Sequence, residues 1–111
     1  MTSEINKQVE EMQVLEHHLQ NLLNQKQSVQ IELNEIDNAI NELKNSDDEV
    51  YKILSGIMIK SDKKTLNKEL SERKRIAEMK ISSIEKQEKL IEGKALDLRK
   101  EINETVSKNK K

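Results

Sequence analysis

The stretch Leu19–Leu43, LQNLLNQKQSVQIELNEIDNAINEL, sets Leu19, Leu22, Lys26, Val29, Leu33, Ile36, Ile40 and Leu43 at alternating steps of three and four. That spacing puts all eight on one stripe of an α-helix, the pattern of a coiled-coil seam. A second seam follows later in the chain: Ala77, Ile81, Ile84, Glu88, Ile91, Ala95, Leu98 and Ile102, again in threes and fours. Folding the chain back so that paired residue numbers add to 110 lays one seam on the other, with Ile40 against Leu70, Val29 against Ile81, Leu19 against Ile91 and Met12 against Leu98. The expectation is a mainly α protein. It is a long antiparallel two-helix coiled coil with a short β-hairpin between the helices and both termini at one far end. As one domain over 1–111, it comprises helix one at 2–45, the hairpin at 50–60 and helix two at 62–106.

Composition agrees with extended helix and argues against a globule. Charged residues make up 37% of the chain and apolar ones 33%, with one aromatic, Tyr51, and no proline. A compact core uses aromatic bulk, whereas a two-helix seam is filled by Leu, Ile, Val and Ala. Disordered chains of similar polarity lack sustained heptads. The net charge of −1 conceals a division: residues 1–45 carry three basic and eight acidic groups, and residues 60–111 carry sixteen basic and ten acidic. Oppositely charged arms favour pairing with each other, although exposed ion pairs contribute only about 0–1 kcal/mol each. Nucleic-acid binding through the basic arm is disfavoured, since acids interleave with the bases and no aromatic platform exists. With no cysteine, no apolar segment at the N-terminus and no run near the ~20 apolar residues of a membrane span, the expectation is a cytoplasmic protein without membrane contact.

Helix one is expected to start near Thr2 or Ser3, either of which can cap it. Its earliest apolar positions, Ile5, Val9, Met12 and Leu15, depart from the strict repeat: the steps 9, 12, 15 and 19 drop one residue, which predicts a stammer that overwinds the coil. Asn45, Ser46, Asp47 and Asp48 then favour a turn over helix interior. Beyond them VYKIL (Val50–Leu54), Ser55-Gly56 and IMIK (Ile57–Lys60) read as two β-branched strands about a tight turn. A lone two-stranded hairpin is marginal in water. This one carries Val50, Tyr51, Ile53, Leu54, Ile57, Met58 and Ile59 on two faces and leaves two strand edges open, so its economical state is assembly with other hairpins. Ser61 or Asp62 caps helix two. Gly93 interrupts that helix, marking either a bend or close approach or a tolerated weakness. The tail from Ser107 is polar and expected to fray.

No catalytic constellation is present, and no cofactor or metal is expected. Gly56 and Gly93 are the only glycines, so no phosphate-binding loop exists. Adjacent His17 and His18 project about 100° apart on a helix and do not chelate one ion. Two features remain. Lys26 and Glu88 occupy the seams about one turn apart, either as a partly buried ion pair that fixes register or as two chains that reach water independently. At the terminal ends Ile5, Val9, Met12, Val14, Leu15, Leu96, Leu98, Ile102 and Val106 supply more apolar groups than two seams consume. Such ends form an adaptable hydrophobic grip. Forty helical residues extend about 60 Å, which separates that grip from the hairpin.

The order helix, single hairpin, helix, with Val50-Tyr51-Lys52, Gly56 and Ile57–Lys60 between the arms, resembles the β-type subunit of prefoldin, most like archaeal versions. The family's usual proline after the central glycine is absent, Ile57 standing there. The resemblance covers essentially the whole chain, and the single hairpin matches the β-type and not the longer α-type. It implies a hexamer of two α-type and four β-type subunits whose hairpins form a central double barrel, Gly56 included. It further implies that the tips hold unfolded polypeptides without ATP and pass them to a group II chaperonin. The alternative, from another class, is a structural coiled-coil adaptor or tether with no chaperone activity.

Overall fold

A computed structural model describes residues 2–109. Its elements are helix α1 (Thr2–Lys44), strand β1 (Glu49–Leu54), strand β2 (Ile57–Asp62) and helix α2 (Lys63–Asn109). The chain is thus two long helices separated by an antiparallel two-stranded hairpin. Its contacts fall into two compact units, a terminal unit made by α1 up to Lys26 with α2 from Ser82 onward, and a hairpin unit, Gln27–Ile81.

In the hairpin unit, Ile36, Leu43 and Leu70 form a buried cluster against which Ala39, Ile40, Val50 and Leu66 pack. Burying a side chain of this size contributes roughly 1.5–3 kcal/mol. Val50 thereby ties one face of the hairpin to the helices, and Lys52 adds an ion pair to Glu69 at 3.1 Å. The strands are longer than predicted by one residue at the start and two at the end, because the ladder continues through the Glu49↔Asp62 and Val50↔Ser61 pairs. Lys60 reinforces it with an ion pair to Glu49 at 2.6 Å. Ser55 and Gly56 both take positive φ, 51° and 80°, as a two-residue turn matched to the strand twist requires. Glycine meets that demand without strain.

The ends of the helices next to the hairpin are closed by named groups. The Ser46 hydroxyl donates to the Leu43 carbonyl at 2.8 Å, and the Lys63 ammonium donates to the carbonyls of Lys44 at 3.0 Å and Ser46 at 3.3 Å. A lysine there satisfies carbonyls with no intrahelical partner and opposes the negative end of the helix dipole. Of the two residues expected to cap helix two, Asp62 does so: its carboxylate accepts from the Thr65 amide at 2.8 Å and the Thr65 hydroxyl at 2.9 Å. Asp62 closes β2 and caps the helix that follows it, with Ser61 one residue further from α2. The backbone hydrogen bond from Thr65, seconded by its hydroxyl, holds the Asp62 carboxyl below the usual aspartate range. A group with a lowered folded-state pKa stabilises at neutral pH and loses that contribution as pH falls through the lowered value. Asp62→Asn keeps the cap without the charge. Its melting temperature should therefore sit below the wild type's at neutral pH, the gap closing below about pH 4 as the carboxyl protonates; thermal melts across that range check it.

In the terminal unit the seam keeps strict three-four spacing to its end: Ile5, Gln8, Met12, Leu15, Leu19, Leu22 and Lys26 are buried or half-buried on α1. On α2 the corresponding residues are Ile84, Glu88, Ile91, Ala95, Leu98, Ile102 and Thr105. This corrects the predicted stammer. Gln8, not Val9, takes the seam position, and Val9 is 40% exposed. Helical phase decides the matter, and the Gln8 amide is tolerated because its Nε2 donates to the Thr105 hydroxyl at 3.2 Å. Gln8 to Thr105 and Lys26 to Glu88 fix antiparallel helices within about one turn of the predicted register.

Helix α1 begins at Thr2 with Ser3 inside its first turn. Capping by Thr2 concerns a side chain outside the described residues. Helix α2 continues to Asn109, past the predicted 106, there being no glycine or proline to stop it. Fraying of the tail beyond that point falls on Lys110 and Lys111, outside the described residues. Gly93 is exposed, and a Cβ built on it meets no atom within 4 Å, so close helix approach does not explain it. Gly93→Ala should therefore stabilise α2 by about 1 kcal/mol, read as a raised melting temperature.

Candidate functional site

Three groups of residues stand out. The first is the hairpin. With Val50 and Lys52 turned to the helices, the opposite face carries Tyr51, Ile53 and Met58, all exposed, Ile53 at 73%. Leu54 and Ile57, which flank the turn as a cross-strand pair, are exposed as well, and Ile59 is at the border of exposure. The two-stranded sheet has no third strand among the described residues. A large apolar surface on a sheet with two free edges is chemically suited to further strand pairing. Beside β1, the hairpin and helices frame a groove whose apolar lining includes Leu43, Val50, Leu54, Leu66 and Leu70.

The second group is the polar layer within the terminal unit. Lys26 Nζ lies 3.1 Å from Glu88 Oε1 and 3.6 Å from Glu85 Oε2, with the Lys26 and Glu88 side chains 33% and 17% exposed. The structure thus brings Lys26 and Glu88 together, and adds Glu85, one turn away, as a second acceptor. The hydrogen bond to Glu88 raises the Lys26 pKa against the opposing effect of desolvation, with both carboxylates' charges adding to the rise. Two acceptors on α2 for one ammonium on α1 hold the helices in register.

The third group, the apolar residues near the helix ends, divides in two. Val9, Val14, Leu96 and Val106 are exposed, Val14 at 67%. Ile5, Met12, Leu15 and Ile102 are half-buried, and Leu98 is buried. Leu98 takes the seam position that its three-four spacing assigns it. Exposed apolar side chains also lie away from the ends, Leu23 and Leu90 in the terminal unit and Ile31, Ile76 and Met79 in the hairpin unit. Sequence reasoning passed over Gln8 and Thr105, which extend the seam beyond the last apolar pair. The only signal for them was the unbroken three-four count.

Among the described residues no cluster of three or more His, Cys, Asp or Glu side chains is placed to hold a metal, and His17 and His18 are exposed. No helix among them is long and apolar enough to cross a membrane.

Comparison with known proteins places this geometry. A family model described as "Prefoldin subunit" matches residues 6–109. The chain belongs to the prefoldin family. Relatives named prefoldin subunit beta include one from Saccharolobus islandicus (strain L.S.2.15 / Lassen #1), 36% identical over 107 residues, spanning 95% of this chain and 85% of that one. Another, from Sulfurisphaera tokodaii, is 36% identical with 95% and 86% covered. A third, from Thermoplasma volcanium, is 30% identical over 114 residues with 100% and 92% covered. The crystal structure of the prefoldin beta subunit from Thermococcus strain KS-1 superimposes with a TM-score of 0.85 at 28% identity, over 92% of this chain and 91% of that one. The chain is a β-type prefoldin, a chaperone subunit, and prefoldin membership implies assembly with other prefoldin subunits.

Proposed function

We propose that this chain is a subunit of an ATP-independent, cytoplasmic holdase and not an enzyme. It assembles through its hairpin into a hexamer of two α-type and four β-type subunits, binds unfolded polypeptides at the helix ends that carry the chain termini, and delivers them to a group II chaperonin. The observation that carries this reading is the apolar surface of the terminal unit: Val9, Val14, Leu96 and Val106 are exposed on a chain whose seam is already filled. Exposed aliphatic groups bind other apolar chains without sequence preference, as a holdase requires. The exposed hairpin face, with Tyr51, Ile53 and Met58, supports assembly in the same way. Lys26 and Glu88 act in this scheme as the pair that sets helix register. The test is co-expression with an α-type subunit, mass measurement of the intact complex, and suppression of aggregation of a denatured model protein with no nucleotide added. A complex of hexamer mass that protects the client supports the reading. A hexamer that leaves aggregation unchanged favours a purely structural role.

A further inference from the structure

Strand β2 runs into α2 with no connecting residue, Asp62 closing the strand and Lys63 opening the helix, whereas Asn45, Ser46, Asp47 and Asp48 separate α1 from β1. The hairpin is therefore hinged on α2 and joined to α1 by a connection that is neither helix nor strand. Lys63 stands at the hinge and reaches across it three times. Its amide donates to the Asp48 carbonyl at 2.9 Å, which continues the strand ladder by one bond. Its ammonium donates to the Lys44 carbonyl at 3.0 Å and to the Ser46 carbonyl at 3.3 Å. The amide bond is open to any residue except proline, but the other two need a long side chain that ends in several N–H donors. Two further ties, Val50 against the buried cluster and Lys52 with Glu69 at 3.1 Å, both lie on β1.

Lys44 is exposed and Ser46 half-buried, so water replaces the ammonium at either carbonyl with little loss. A water there satisfies the carbonyl but ties nothing to α2. Lys63 thus supplies direction more than stability. Direction at the hinge is amplified along the helix: Lys63 to Ile81 spans about 27 Å at ~1.5 Å per residue, so a tilt of about 10° at the base moves the far end by about 5 Å. We propose that Lys63 is the positioning residue for the arms of the assembled complex. It fixes the angle between sheet and helices, and through it the spacing at which neighbouring subunits present their apolar groups to one client. The inference rests on the holdase reading and adds that capture is multivalent. Several weak contacts to one unfolded chain reinforce each other only when their separation suits it, and the gain from linkage is lost otherwise. A subunit with a loose hinge should assemble and expose Val9, Val14, Leu96 and Val106 as before, yet hold its client less tightly.

The test compares Lys63→Met, which keeps the apolar stem and the amide bond, with Lys63→Arg, which restores charge and donors. Each is assembled with a cysteine-free α-type subunit. The chain has no cysteine of its own, so Ser83→Cys, at an exposed position on α2, takes a single nitroxide label. Lys63→Met should leave the mass of the complex and its helical circular dichroism unchanged. The distribution of label-to-label distances, read by pulsed electron paramagnetic resonance, should roughly double in width, and the amount needed for half-protection of a denatured client should rise about threefold or more. Lys63→Arg should match the wild type in every readout. An unchanged distance distribution in Lys63→Met overturns the proposal and leaves the holdase reading standing. A broadened distribution with unchanged protection overturns the link between arm spacing and capture. Loss of helix or of the complex would make Lys63 a stabilising residue and overturn the proposal equally. If the wild type itself fails to protect, the holdase reading falls, and the distances still decide whether Lys63 sets the angle.

Discussion

Replacing Ile53 with lysine and Met58 with glutamate should convert the assembled complex into free subunits while leaving their helices intact. The two residues are cross-strand partners, and both are exposed in the single chain. Changing them removes no contact the lone subunit needs. Opposite charges placed directly across the strands attract, so the hairpin itself survives. Within an assembly that buries this face, two apolar side chains worth about 1.5–3 kcal/mol each are lost, and two charges must be desolvated as well. A dissociation constant raised by at least roughly a hundredfold is expected from the apolar loss alone. Native mass spectrometry should show subunit masses in place of the complex, with helical circular dichroism unchanged. A full-size complex formed by the double variant would rule out this face as the assembly surface.

The choice of Ile53 and Met58 illustrates what the sequence made legible and what it did not. That residues 50–60 form a hairpin follows from β-branched runs about Ser55-Gly56, and the seams follow from period alone. Every seam residue from Leu19 to Leu43 and from Ala77 to Ile102 named on that basis is buried or half-buried. Which hairpin face meets the helices is a tertiary fact: it depends on Val50 reaching the Ile36–Leu43–Leu70 cluster and Lys52 reaching Glu69. The Lys63 ammonium closing the end of α1 is equally invisible to local reasoning, since nineteen residues separate it from Lys44. At the terminal end the failure was of another kind. Reading only apolar residues as seam residues moved the phase onto Val9, whereas helical geometry admits Gln8 because Thr105 offers an acceptor.

Removing residues 1–26 and 82–111 should leave an assembled complex that no longer protects clients. The remaining chain, Gln27–Ile81, is a compact unit with its own buried cluster of Ile36, Leu43 and Leu70, and it retains the whole hairpin, the Asp62 cap and the Lys74–Asp37 ion pair at 2.9 Å. Short helix pairs are marginal alone, but subunits held at a shared sheet gain stability by mass action. What the deletion takes away is every exposed apolar group proposed for client capture: Val9, Val14, Leu96 and Val106. The expected result is a complex of correspondingly lower mass and the same subunit count, with suppression of aggregation reduced to that of an inert protein at equal concentration. Full protection by the shortened complex would move capture to the hairpin unit, whose helices expose Ile31, Ile76 and Met79. Partial protection would split capture between the units, and charge substitutions at those three positions in the full-length chain would then measure the hairpin unit's share.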